Sequence, residues 1–289
     1  MVTVASLDIV IICFELYLCR KPFRYIRSIV IMIRTQFANR IVEHIRSHIA
    51  HNLPAGVELK HHTFTAADTS CKIQSGIFGL RYNVMVRSKG TKSPFPPTHR
   101  CIHDEQFHDE TDFASNTTHT TVWRDGKIVA AMRAVDASGP LELERYDWYK
   151  LRAKHPHIGD SFMEPARVVG CKSIRGSALV PLMYVDTCLQ VTDHSFDRMF
   201  GVVEHRSLKL LSHYKKWVRY KVITDEPFET PEFVPGNKTH IIEVESSKES
   251  PFIFANMLPA YLGYRALAAR DAMHRTTRRA SDWAVRSGD

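Results

Sequence analysis

The sequence predicts an α/β fold of the α+β kind: a mixed, mostly antiparallel twisted sheet flanked by helices. Apolar residues alternate in some segments and recur at three and four in others. The segments run helix, hairpin, strand, helix, strand, helix, strand. The clearest single signal is a strand–turn–strand. β-branched and aromatic Thr117–Trp123 leads into Arg124-Asp125-Gly126-Lys127, and Ile128–Val135 returns. No internal repeat, heptad pattern or low-complexity block competes with this reading.

Taken in order, Val2–Cys19 is apolar but contains Asp8 and Glu15. No basic stretch precedes it and no small-residue cleavage site follows, so it reads neither as a signal peptide nor as a membrane span. A helix packed on the body or lying on a membrane surface remains, so residues 1–50 are a candidate for peripheral membrane contact. From Arg20 to about Ala50, isoleucines at 26, 29, 33, 41, 45 and 49 mark a helix, which Asn52, Pro54 and Gly56 stop. Val57–Thr65 reads as a strand, Ile77–Val86 as a helix and Gly90–Pro97 as a loop. An acidic segment, His103–Asp112, precedes the hairpin. Then come a helix over 142–153, a strand Ser161–Val169, a buried helix Ser177–Val191 and a short strand Phe200–Val203. A basic amphipathic helix Arg206–Tyr220, a strand His240–Glu245 and a helix Leu258–Met273 follow. A frayed basic tail begins at His274. Three regions result: a helical extension over 1–55, a main domain over 56–250, and a C-terminal helix and tail over 251–289.

The chain has 289 residues, 44% of them hydrophobic, enough for a core that needs neither metal nor disulfides. Six scattered cysteines without a CxxC pair suit buried thiols in the reducing cytoplasm. His99, Cys101, His103 and His108 match no metal-ligand spacing, so no metal is expected. The net charge of +8 favours an acidic partner. Nucleic acid, anionic lipid, a phosphorylated cofactor and an acidic carrier protein all qualify. No nucleic-acid motif is present, so nucleic acid is not the expected partner. A basic nucleic-acid or anionic-surface module stays open as the alternative of another class, resting on the tail arginines and on Trp217 with Tyr214 and Tyr220.

Several charges lie in apolar strands, where they must be paired. Arg133 ends Val129-Ala130-Ala131-Met132-Arg133, and its candidate partners are Asp109, Asp112 and Glu164. In Glu164-Pro165-Ala166-Arg167, odd spacing puts Glu164 and Arg167 on opposite faces of a regular strand. Small Ala166 shares the face of Glu164 and leaves room beside it. Pro165 cannot donate to a ladder, so the strand is expected to bulge or splay there.

In this order, Arg81 on an early helix, Asp109 with Asp112, Arg133, and Glu164 with Arg167 resemble the homoserine-lactone autoinducer synthases and long-chain N-acyl amino acid synthases of the GNAT superfamily. The resemblance covers roughly residues 75–222. Met85 stands where those families usually carry an aromatic residue, and Pro165-Ala166 replaces their usual Ser. No Trp lies between Arg81 and Trp123, where a lactone synthase usually has one. The resemblance implies a GNAT-like sheet with a splayed central strand and transfer of a fatty acyl group from a thioester to an amine. An amino acid acceptor is favoured, with homoserine-lactone synthesis as the alternative. It assigns Glu164 as the base, and the backbone N–H groups around Val168 and Val169 as donors to the thioester carbonyl. Arg175, Gly176, Ser177 and Ala178 become the phosphate-binding helix start, although Ser173 replaces its usual first basic residue. Tyr214 becomes a candidate proton donor, a position that equally suits a tyrosine packed on the sheet. The implied co-substrate is acyl-carrier protein or acyl-CoA, with no permanently bound cofactor. Lys172, Arg175, Arg206, Lys209, Lys215, Lys216 and Arg219 favour docking of acidic acyl-carrier protein.

Overall fold

The computed structural model describes residues 24–65, 72–90, 93, 95–96, 99–139, 141, 143–146, 148–155, 161–174, 177–194, 196, 198–205, 219–229, 235–245 and 253–286. The chain divides into two compact units, residues 1–44 and 45–289. Of the first, the described part is helix α1 (Arg24–His51), which continues into the second unit. There the predicted isoleucine stripe buries Ile45 and Ile49. Asn52 N–H closes on His48 O before Pro54.

Strand β1 (Val57–His62) is followed by helix α2 (Lys72–Arg81) and a π turn over Tyr82–Arg87. A small hairpin of β2 (Ile102–His103) and β3 (Gln106–Phe107) comes next, then a 3-10 turn at Glu110–Phe113. Strands β4 (Thr117–Arg124) and β5 (Lys127–Asp136) form the predicted hairpin. Its turn residues Asp125 and Gly126 both have positive φ, 52° and 74°, which the Asp-Gly pair tolerates. A 3-10 turn (Leu143–Tyr146) and helix α3 (Trp148–Lys154) lead to β6 (Met163–Gly170). Helix α4 (Leu179–Asp193) crosses to β7 (Arg198–Glu204). Short β8 (Lys221–Val222) and β9 (Phe228–Glu229), β10 (Lys238–Glu245) and helix α5 (Leu258–Arg286) complete the chain. The expected frayed tail is not seen: α5 runs unbroken to Arg286. After His274 it contains neither Pro nor Gly until Gly288, so no residue there breaks the helix. The predicted basic helix 206–220 lies outside the described residues except for its last two.

The main sheet has eight strands in the order β1-β4-β5-β6-β7-β10-β8, with β9 also on β10. Every pairing is antiparallel except β6 with β7, and α4 supplies the crossover that a parallel pair requires. Two faces follow. On one, Ile77 and Phe78 of α2 pack in a single cluster with Ala131 and Val169. The same face carries a second cluster through Val135, with Leu143, Trp148, Phe162 and Phe200. On the other face, Thr187 of α4 donates to Met132 Sδ at 3.2 Å.

Among the described residues no helix is long and apolar enough to cross a membrane. Cys101, Cys171 and Cys188 are free thiols.

Candidate active site

Five of the predicted residues form one buried ion network on the α2 face. Its origin is local. Asp112 closes the 3-10 turn by accepting the Asp109 N–H at 2.9 Å, so a three-residue spacing sets both carboxylates side by side. Arg81, on the last turn of α2, donates to Asp112 Oδ1 at 2.6 Å. Arg133 reaches Asp109 at 2.6 Å and Asp112 at 3.1 Å. Arg167 reaches Asp109 Oδ2 at 3.1 Å. Arg81 and Arg133 are fully buried, so each guanidinium must be neutralised where it sits.

His119 joins this network without having been picked out from the sequence. It stands opposite Arg133 in the β4–β5 ladder. Its Nδ1 lies 3.2 Å from Arg81 Nη2, and its Nε2 lies 2.9 Å from the Asp112 carbonyl. Arginine only donates, so Nδ1 accepts and Nε2 carries the proton. Burial, with Arg81 beside it, holds the imidazole neutral, its pKa pushed down to about 4. Burial opposes ionisation of Asp112, but Arg133 and Arg81 outweigh it and hold the carboxyl at about 2.

Arg167 corrects the regular-strand expectation. The β5–β6 register slips between Ala131 and Arg133, so that Arg167 and Val168 together oppose Met132. Arg167 sits at φ 53°, a conformation that costs a non-glycine residue roughly 1–2 kcal/mol. The Asp109 pair and the rings of Phe107 and Phe95, 4.5 and 5.7 Å from its guanidinium, offset that cost. The bulge turns Arg167 onto the face that carries Arg133 and Glu164, not the opposite one. It also leaves Val168 58% exposed while Val169 stays in the core.

Glu164 is 1% exposed. It lies opposite Val135, and Ala166 lies opposite Arg133. Its Oε2 accepts the Leu143 N–H at 3.3 Å. On its other side β6 meets β7 at a single pair, Met163 with Met199. No further pair follows: Pro165, which lacks an N–H, ends the ladder with its carbonyl still close to Gly201, and the strands part only beyond it. The result is a wedge between two parallel strands with a buried carboxylate near its vertex. Cys171 N–H donates to Val129 O at 2.9 Å. Ladder alternation therefore turns the Val169 amide toward β5 and the Gly170 amide toward the wedge.

At the start of α4, Ser177 Oγ donates to Ile174 O at 2.7 Å and accepts the Leu179 N–H at 3.3 Å. The Ala178 N–H donates to Asp271 Oδ2 of α5 at 3.2 Å. Arg175, Gly176 and Tyr214 lie outside the described residues, as do Arg206, Lys209, Lys215 and Lys216. Lys172 is exposed beside the wedge strand. A cavity of about 220 Å³ borders the network on the α2 face, lined by Arg100, His103, His108, Asp109, Glu110 and Phe113. Among the described residues no group of three or more His, Cys, Asp or Glu could hold a metal ion.

A second polar cluster occupies the α4 face. Buried Asp186 accepts from Thr120 Oγ1 at 3.0 Å, Gln190 Nε2 at 2.8 Å and His61 Nε2 at 2.9 Å. The hydrogen bond to Asp186 raises the pKa of His61, whose ring is half exposed, although its partial burial opposes the rise. Asp186 was legible only as one acid within an apolar helix.

No family model matches the sequence, and no curated protein matches it. Solved structures do. The CoA-dependent acyl-homoserine lactone synthase MesI superposes with a TM-score of 0.51 at 15% identity, over 72% of this chain and 95% of that one. TofI, solved with an inhibitor and MTA, gives 0.49 at 18% identity over 71% and 96%. Escherichia coli ElaA gives 0.44 at 15% over 65% and 99%. The likeness to MesI shows the fold: a GNAT-like mixed, mostly antiparallel sheet flanked by helices.

Proposed function

We propose that this chain is an N-acyltransferase that moves a fatty acyl group, of long chain, from a thioester to the amine of an amino acid or related small molecule. The observation that carries the reading is the wedge at β6: a bulged, half-unpaired strand with buried Glu164 on one face. The reaction needs a base for the amine, donors for the thioester oxygen and a slot for the pantetheine arm. Glu164 supplies the base, directly or through a water. The Gly170 amide turns toward the place where an oxyanion would develop and is the donor this reading uses, whereas the expected Val169 amide is turned away toward β5. The Arg81–Asp112–Arg133–Asp109–Arg167 network fixes the bulge that positions this donor. The acceptor approaches on the α2 face, where a polar cavity lined by Arg100, His103, His108, Asp109, Glu110 and Phe113 borders the network. Residues 56–250 hold the proposed catalytic groups, and the C-terminal helix reaches the start of α4 through Asp271.

Donor choice turns on α4. Asp271 already takes the Ala178 amide, one of the groups a pyrophosphate at Arg175–Ala178 would use. A carboxylate at a helix N-terminus also repels a second anion. This favours acyl-carrier protein, which presents a single phosphodiester, over acyl-CoA. Exposed Lys172 suits an acidic carrier.

Mass spectrometry of organic extracts from bacteria expressing the chain tests the reaction. Long-chain N-acyl amino acids are expected with the intact protein and at least about a hundredfold less with Glu164→Gln. Undiminished product from folded Glu164→Gln would remove the base assignment. Homoserine-lactone synthesis is the second reading, favoured by the likeness of fold to MesI. It predicts acyl-homoserine lactones in the same extracts.

A further inference from the structure

We infer that His205, backed by His240 and Thr224, is the proton donor to the departing thiolate. The inference rests on the acyl-transfer reading and gives to His205 the proton-donor role for which the sequence offered Tyr214, which lies outside the described residues. Amide formation joins C–N and breaks C–S. The amine proton passes to a base, and the sulfur leaves as a thiolate that must take a proton from elsewhere. Acid and base therefore belong on opposite sides of the thioester.

The two arms of the wedge provide this arrangement. β6 and β7 start level at Met163 and Met199. His205, the residue after β7, lies six positions beyond Met199, and Val169 lies six beyond Met163. His205 thus stands across the opening at about the height of the bulge. Side-chain alternation then assigns the faces. Glu164 lies opposite Val135, on the α2 face. Met163 lies opposite Asp136, so Met163 and Met199 lie on the α4 face. From Met199, alternation along β7 carries Val203 onto that same α4 face; Val203 pairs with His240, and His205, just past the strand, joins this face through its contact with the His240 ring. The start of α4, where a phosphorylated arm would approach, is on this side too.

His205 is exposed, and its Nδ1 lies 2.9 Å from Nε2 of buried His240. Nδ1 of His240 lies 3.0 Å from Thr224 Oγ1. The chain of contacts fixes the His205 ring and leaves its Nε2 edge as the end at which a proton shared by the two imidazoles can be given up. In the reaction Nε2–H passes its proton to sulfur while Glu164 takes the amine proton. Solvent exchange restores both, so nothing is oxidised or reduced. His240 and Thr224 act as positioning residues.

The test compares two donors in the full chain: decanoyl-CoA, whose alkyl thiolate needs a proton, and S-phenyl thiodecanoate, whose aryl thiolate departs without one. Both are assayed by thiol release with a mixture of the twenty amino acids. His205→Gln is expected to lower kcat/KM on decanoyl-CoA about a hundredfold and on the phenyl thioester less than about threefold. His240→Gln and Thr224→Val should show the same selectivity at about tenfold. Added imidazole should restore His205→Ala on decanoyl-CoA alone. An equal loss on both donors, or none on either, overturns the role of His205 and leaves the acyltransferase reading standing. If the unaltered chain releases thiol from neither donor, decanoyl-acyl-carrier protein replaces decanoyl-CoA, and no release from that donor either removes the acyltransferase reading and this inference with it.

Discussion

The two faces of the sheet bury charge in opposite ways. On the α2 face, three guanidiniums share two carboxylates, and His119 is kept uncharged among them. On the α4 face, one carboxylate, Asp186, rests on two neutral donors and a half-exposed histidine. The first cluster keeps its charge state across the neutral range. The second changes charge as His61 titrates. A network that must hold a strained strand in place gains from indifference to pH. A cluster that only pins a helix to the sheet has no such demand.

The largest expected effect comes from breaking the first cluster. Arg133→Ala strands Asp109 and Asp112 without one of their cations and should cost roughly 3–5 kcal/mol in urea unfolding. Arg133→Lys should recover part of this, because it restores charge but not the fork. Next is the acid response of the same cluster. His119 titrates near 4 in the folded chain against about 6.5 unfolded. The unfolded chain therefore gains protons first as pH falls. Roughly 3 kcal/mol of stability should drain away between pH 6.5 and 4, with the Asp112 contribution following between 3.8 and 2. His119→Gln should flatten the upper part of that limb; an unchanged curve would show that His119 is not the neutral member described here. Breaking the α4-face cluster is milder: Asp186→Asn keeps an acceptor oxygen and should cost roughly 1–2 kcal/mol. The smallest effect sharpens the contrast by its sign. The raised pKa of His61 gives stability that is complete below its unfolded value and lost as pH rises through the folded one. His61→Gln should remove this alkaline slope, worth under about 1 kcal/mol for so exposed a ring.

These clusters also mark what the sequence could reveal. Arg133 among alanines demanded acids, and the paired aspartates were legible because three-residue spacing makes a turn. Pro165 announced the irregularity of β6. The face of Arg167 was not legible, since a slip of one position inverts every following side chain, and nothing in Arg167-Val168 marks the slip. The same limit hid His119. A regular hairpin around Asp125-Gly126 pairs it with Met132, and only the irregularity between Val122 and Trp123 shifts it onto Arg133. His205 and His240 were beyond reach for a different reason: their contact joins a strand end to the neighbouring strand 35 positions later. The fold-level periodicities are local and survive such slips, while a site assembled across strands does not.

The diverging strands carry a consequence for self-association. A strand with one unpaired edge is a template for any extended peptide, and a gap between two parallel strands offers two such edges at once. Pro165 removes a donor at the vertex, and the Arg167–Val168 bulge breaks the two-residue spacing that an incoming ladder must match. A flexible arm with few backbone-like groups can enter, whereas a β-strand from another chain cannot zip in. The irregularity that the proposed acyl transfer would use thus also guards the protein against aggregating through its own opening.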